Sequence, residues 1–91
     1  MKDLFEVLGS YLQNKRLKAE LSQGDVADKL GYSSPQFISN FERGLCAPPL
    51  PKLRTLIDLY DLNAEEVIKI MLGEHEKHLR KHLKAAKGRK K

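Results

Sequence analysis

Ser22-Gln23-Gly24-Asp25-Val26-Ala27-Asp28-Lys29-Leu30-Gly31-Tyr32-Ser33-Ser34-Pro35-Gln36-Phe37-Ile38-Ser39-Asn40-Phe41-Glu42-Arg43-Gly44 is the stretch that decides how this 91-residue chain folds. Ser22 is a good helix N-cap, because its hydroxyl accepts a first-turn N–H that has no partner within the helix. Val26, Ala27 and Leu30 follow at three-four spacing, and Gly31 is placed to stop the helix after about two turns of 3.6 residues each. Tyr32-Ser33-Ser34-Pro35 reads as a turn, with Ser34 capping a new helix and Pro35 at its first position, where a missing N–H does no harm. That helix runs over residues 35 to about 43, with Phe37, Ile38 and Phe41 apolar, and stops at Gly44.

Working outward, Asp3 with Glu6 has capping-box spacing, and Leu4, Phe5, Leu8 and Leu12 recur at helical intervals, giving a first helix that ends near Ala19. On the other side Pro48, Pro49 and Pro51 make residues 45–49 a loop and set the start of a fourth helix, whose inward set is Leu50, Leu53, Leu56, Ile57 and Tyr60. Asn63 with Glu66 is a second capping box, opening a fifth helix with Val67, Ile68, Met71 and Leu72 and no strong stop before the lysine-rich end. No stretch alternates with period two for long enough to suggest a strand. The expected fold is all-α, with five helices.

At 41 % apolar and 32 % charged residues the chain has the balance of one small globular domain. A core this small leaves little room for a deep substrate pocket. No run approaches the roughly 20 apolar residues of a membrane span, and the start Met1-Lys2-Asp3 lacks the apolar segment of a secretory signal, so no membrane role and a cytoplasmic location are expected. Cys46 is the single cysteine. It has no disulfide partner in the chain and no zinc-ligand spacing around it, and it reads as a small, semi-buried side chain. His75, His78 and His82 share a helical face without a carboxylate or thiol to complete a set, so neither a metal site nor a cofactor is expected.

The charge is uneven. Residues 1–73 carry nine basic and ten acidic side chains, whereas residues 74–91 carry eight basic and two acidic ones. That shift divides the chain into a near-neutral body, 1–73, and a basic helical C-terminal extension, 74–91, frayed at its end. Along the extension Ile68, Leu72, His75, Leu79, His82 and Ala86 fall at alternating four and three spacing, as a helix–helix seam requires. Leu72, Leu79 and Leu83 are expected to pack on a second copy or on the body.

Taken in order, Leu12, Arg16, Leu21-Ser22-Gln23, Val26-Ala27-x-x-Leu30-Gly31, Ile38-Ser39-x-x-Glu42-Arg43-Gly44 and Pro48-x-Leu50-x-x-Leu53 resemble the lambda-repressor and Cro-like (XRE-type) helix-turn-helix DNA-binding domains. The resemblance spans roughly residues 8–62 and implies a compact five-helix, lambda-repressor-like domain whose third helix reads the major groove. It also implies that Gln23 holds a DNA phosphate at the start of the second helix, and that Arg16 and Glu42 form a buried ion pair tying the first helix to the third. With Ile38 and Phe41 turned inward, Gln36, Phe37 and Asn40 lie on the outer side of the third helix, flanked by Ser39 and Arg43. Amides of Gln and Asn can pair with adenine N6 and N7, and an aromatic edge can touch a thymine methyl. These three are the base-reading candidates, although Phe37 can instead complete the apolar face. Ser33, Ser34, Ser39, Arg43 and Lys52 join Gln23 as phosphate candidates.

The function implied is a sequence-specific transcriptional regulator of bacterial or phage type, by default a nucleoid-associated repressor, binding a pseudo-palindromic operator in double-stranded DNA as a homodimer and doing no chemistry. A protein-interaction module, such as an antitoxin-like partner, is the alternative, supported by the weakly charged body. Three features depart from the family pattern. Glu20 stands where a glycine often ends the first helix, so that connection either avoids the left-handed conformation or carries strain. The turn at residues 31–34 is one residue longer than usual, and Leu45-Cys46-Ala47 lacks the basic residues that related domains place there against the phosphate backbone.

Overall fold

The computed structural model describes residues 5–87, with side chains through Lys84. It has helices α1 (Glu6–Lys18), α2 (Gln23–Leu30), α3 (Gln36–Glu42), α4 (Leu50–Tyr60) and α5 (Ala64–Lys87), and no strand among the described residues. Leu8 and Leu12 of α1, Val26, Ala27 and Leu30 of α2, Ile38 and Phe41 of α3, Leu53, Leu56 and Tyr60 of α4, and Val67 of α5 close a single core. The fold is that of an all-α, lambda-repressor-like domain.

Local chemistry explains where the helices begin and end. Ser22 Oγ accepts from Asp25 N at 2.9 Å and Asp25 Oδ2 from Ser22 N at 3.0 Å, a complete capping box at the start of α2. These bonds also hold the Asp25 carboxyl below its ordinary pKa. Gly31, at φ 81°, closes α2 in the left-handed region. Ser34 Oγ accepts the Gln36 N–H at 3.0 Å, so Ser34 caps α3 as expected, with helix bounds one residue inside the expected ones at each end. Asn63 makes only half of its predicted box. Its Oδ1 accepts from Glu65 N and Glu66 N, while Glu66 Oε1 turns away to accept the Tyr11 hydroxyl at 2.8 Å. That bond, behind desolvation, helps push the Tyr11 phenol up to about 12.

The expected Asp3 cap lies outside the described residues. At the start of α1 the observed N-cap position is Phe5, with no side-chain bond. Its first-turn donors are met from the far end of the sequence, since Val7 N donates to Glu74 Oε2 at 2.6 Å and Leu8 N at 3.4 Å. Glu74 is buried, and α5 runs unbroken through residue 73, the position where composition divides body from extension.

One apolar residue expected on an inward face, Leu50, lies outside. Leu50 is 71 % exposed because it sits nearly 90° around α4 from the Leu53, Leu56 and Tyr60 stripe, at about 100° per residue. On α5 the face turned to the body is Val67, Ile70, Met71 and Glu74, which leaves Ile68 and Leu72 exposed. Cys46, expected to be semi-buried, is also exposed.

Glu20 adopts φ 61°, so the α1–α2 connection uses the left-handed conformation with a side chain that disfavours it. Glu20→Gly is therefore expected to raise stability by about 0.5–1 kcal/mol, the relief of strain outweighing the extra unfolded-state freedom of glycine. Urea titration of the two proteins measures the difference, and a lower midpoint for the glycine variant would contradict it.

Candidate nucleic-acid interface

Helices α2 and α3 are joined by residues 31–35 and held at their mutual angle by contacts on both sides of the turn. Tyr32 N–H donates back to Ala27 O at 2.9 Å. Lys52 reaches over from α4, donating its Nζ to Leu30 O at 2.6 Å and lying 5.2 Å from the centre of the Tyr32 ring. A cation at the carboxyl end of α2 completes the unpaired carbonyls and complements the helix dipole. The Lys52 ammonium expected at a phosphate is thus engaged in fixing the turn.

Below the turn, α3 buries Ile38, Phe41 and Glu42. Arg16 Nε donates to Glu42 Oε2 at 2.6 Å, its NH2 to Oε1 at 3.1 Å and its NH1 to Leu21 O at 2.8 Å, so one guanidinium ties α1, the α1–α2 connection and α3 together. The bond to Glu42 raises the Arg16 pKa further above its ordinary value. Gln23 Nε2 also donates to Glu42 Oε1, at 2.9 Å, which draws the first turn of α2 into the same cluster. Beside it, burial pushes the Tyr60 phenol well above its usual range, with the Glu42 charge adding to the effect.

On the outer side, Gln36 and Phe37 are exposed and Asn40 is half-buried. Gln36 Nε2 donates to Asn40 Oδ1 at 2.9 Å, and Arg43 NH2 donates to the same oxygen at 2.9 Å. Spacings of four and three put the three side chains in one row along the helix. The row is held in place before any ligand arrives. Phe37 does not complete the core. It stays 45 % exposed, its ring stacked on Tyr32 with centroids 4.5 Å apart and planes 15° apart. The remaining candidates are spread around this face. Ser33 is exposed, Ser34 and Ser39 are half-buried, and Gln23 is half-buried beside the ion pair.

Sequence reasoning did not find Tyr32 as the support for Phe37, nor Gln23 as a partner of Glu42. Both contacts are tertiary, and the only trace in the sequence is an aromatic residue directly after the helix-stopping glycine. Among the described residues no three His, Cys, Asp or Glu side chains come together as a metal site would require, and no helix is long and apolar enough to cross a membrane.

A bihelical unit that buries one face of its second helix and offers the other to solvent, tied to a preceding helix by an Arg–Glu pair, has the form of a helix-turn-helix domain. A profile of the helix-turn-helix domain family matches residues 7–68. The chain belongs to that family, of the XRE and Cro-like type. No curated protein matches it.

Proposed function

We propose that the protein is a sequence-specific DNA-binding transcriptional regulator, a repressor by default, that inserts α3 into the major groove and carries out no chemistry. The carrying observation is the outward row of Gln36, Asn40 and Arg43, whose hydrogen bonds at 2.9 Å hold two amides and a guanidinium on the solvent face of a helix buried on its other side. In this reading Gln36 and Asn40 read adenine edges and the stacked edge of Phe37 meets a thymine methyl. Gln23, Ser33, Ser34, Ser39 and Arg43 hold the phosphate backbone, with Lys52 adding its charge close by. Two copies bind a pseudo-palindromic operator with half-sites roughly 34–36 Å apart. Residues 1–73 act as the binding unit and 74–91 as a basic extension, in the cytoplasm of a bacterial or phage-infected cell, at the nucleoid.

The test is selection of bound fragments from random double-stranded DNA, followed by affinity measurement on the selected site. A good amide–base pair discriminates by about 1–3 kcal/mol. Gln36→Ala with Asn40→Ala is therefore expected to weaken specific binding by at least about tenfold, with the circular dichroism melt unchanged because both side chains sit on the outer face. Unchanged affinity would remove α3 as the reader.

One observation favours the second reading, a protein-interaction module. Leu45 is 51 % exposed and Leu50 71 % exposed, on a loop and helix start without a cation between them. A partner captured and kept at high salt would support it, since contacts with phosphates fade steeply as salt rises.

A further inference from the structure

Helix α5 carries two apolar faces where a helix packed on one body needs one. At about 100° per residue, Val67, Ile70, Met71 and Glu74 share the face turned to the core, and Ile68, Leu72, Leu79 and Leu83 form a second stripe about 140° around from it. The second stripe is open to solvent, at 46, 63, 41 and 63 % exposure respectively. Beyond Glu74 the core-facing direction is taken over by His78 and Lys81, both exposed, whereas the second stripe continues. It is therefore not the end of the core face. At its start it borders an apolar groove between α4 and α5, lined by Leu50, Leu53, Ile57, Ala64, Ile68 and Met71.

We propose that a second copy of this chain packs along this stripe with the two α5 helices antiparallel. The proposal specifies the interface of the dimer invoked above and rests on that reading only for the dimer. Residues 68, 72, 75, 79 and 82 alternate four and three apart, the spacing of a two-helix seam. Charge then selects the direction. The first turn of α5 is acidic, with Glu65 and Glu66, and the later turns are basic, with Lys77, Arg80, Lys81 and Lys84. Antiparallel packing sets the acidic start of each helix against the basic end of the other, and parallel packing sets the two basic ends side by side.

The residue register agrees. Centring the two-fold axis between Gly73 and Glu74 puts Ile68 against the partner's Leu79 and Leu72 against the partner's His75. Lys69 then lies on the same flank as the partner's Glu76, about 3 Å from it along the axis, and Glu65 is level with the partner's His82. Glu76 already accepts from Arg80 at 2.8 Å, but with about 60 % of its side chain exposed it has room for a second donor. A parallel register pairs Lys69 with no acid and stacks His75 on the partner's His75. The overlap covers residues 65–82, about 27 Å at 1.5 Å per residue, and lays the projecting turns of one chain beside the α4–α5 groove of the other.

Sedimentation equilibrium on the full chain is expected to give a dimer. Leu72→Glu, at an exposed position where the fold is retained by circular dichroism, is expected to weaken association at least tenfold. Lys69→Glu should weaken it too, and adding Glu76→Lys should restore it. For direction, Leu72→Cys and His75→Cys chains, each also carrying Cys46→Ser, are mixed and oxidised. A predominant mixed disulfide is expected, because that pair meets only in the antiparallel seam. A monomer, a dimer indifferent to Leu72→Glu, or predominant self-crosslinking of Leu72→Cys would each overturn the proposal. No DNA is involved, so failure here leaves the reading of α3 standing, and failure of DNA selection leaves the dimer result standing.

Discussion

Replacing Glu42 by alanine is expected to lower stability by about 3–5 kcal/mol, because it strands the Arg16 guanidinium in a site already withdrawn from water. The side chains of Arg16 and Glu42 are 9 % and 3 % exposed. Two of the bonds made by the guanidinium go to that carboxylate, at 2.6 and 3.1 Å, and the amide of Gln23 loses its acceptor as well. For a domain of this size each kcal/mol moves the melting temperature by about 4–8 °C, so a fall of more than about 12 °C is expected in a circular dichroism melt. DNA binding would fall with the fold, since this carboxylate joins α1 and the start of α2 to α3 beside the packing of Ile38 and Phe41. Removing both charges together, with Arg16→Met and Glu42→Leu, is expected to recover much of the loss, because an apolar pair leaves no buried charge unmet. A Glu42→Ala protein as stable as the parent would show that the pair does not hold the helices together.

The fold was legible in the sequence wherever the signal was local. Ser22, Gly31, Ser34 and Gly44 punctuate α2 and α3 through bonds to residues at most five positions away, and the capping and stopping chemistry of each residue type is enough to place them. Long-range choices were not legible from local signals, and the Arg16–Glu42 pair, 26 residues apart, was foreseen only through the family resemblance. Periodicity marks Ile68 and Leu72 as apolar helix positions, but it does not say which of two apolar faces the body takes. The buried carboxylate of Glu74 decides that, by accepting N–H groups from residues 66 and 67 positions earlier. The same holds at the candidate interface. The outward position of Gln36 and Asn40 follows from the inward one of Ile38 and Phe41, whereas the loan of Lys52 to the carboxyl end of α2 depends on how α4 lies across the turn.

Gly9 is the second place where a single atom should matter most, and nothing in its neighbourhood in sequence announces it. It lies in the interior of α1, where alanine is ordinarily better by about 0.8–1 kcal/mol. Propensity alone would therefore predict stabilisation. At this position, however, α1 crosses α3 so closely that a Cβ would stand 2.5 Å from Glu42 O and 2.6 Å from Phe41 O. Those atoms belong to backbone and cannot rotate away, so the helices must part, and forcing extra volume into a packed contact costs about 1–3 kcal/mol or more. With contacts this short the upper end applies, and Gly9→Ala is expected to destabilise by about 2 kcal/mol net. The displacement also falls on the carboxyl end of α3, beside the Arg16–Glu42 pair, so affinity for a selected DNA site should drop along with the melting temperature. Gly73→Ala is the control. It too is helical, but a Cβ there meets nothing within 4 Å, so only the propensity gain of about 0.8–1 kcal/mol remains. Opposite signs for the same substitution at two helical glycines, read from paired melts, would establish that the α1–α3 crossing and not helix formation sets the effect. A Gly9→Ala protein that melts above the parent would mean that the helices are not in such close contact.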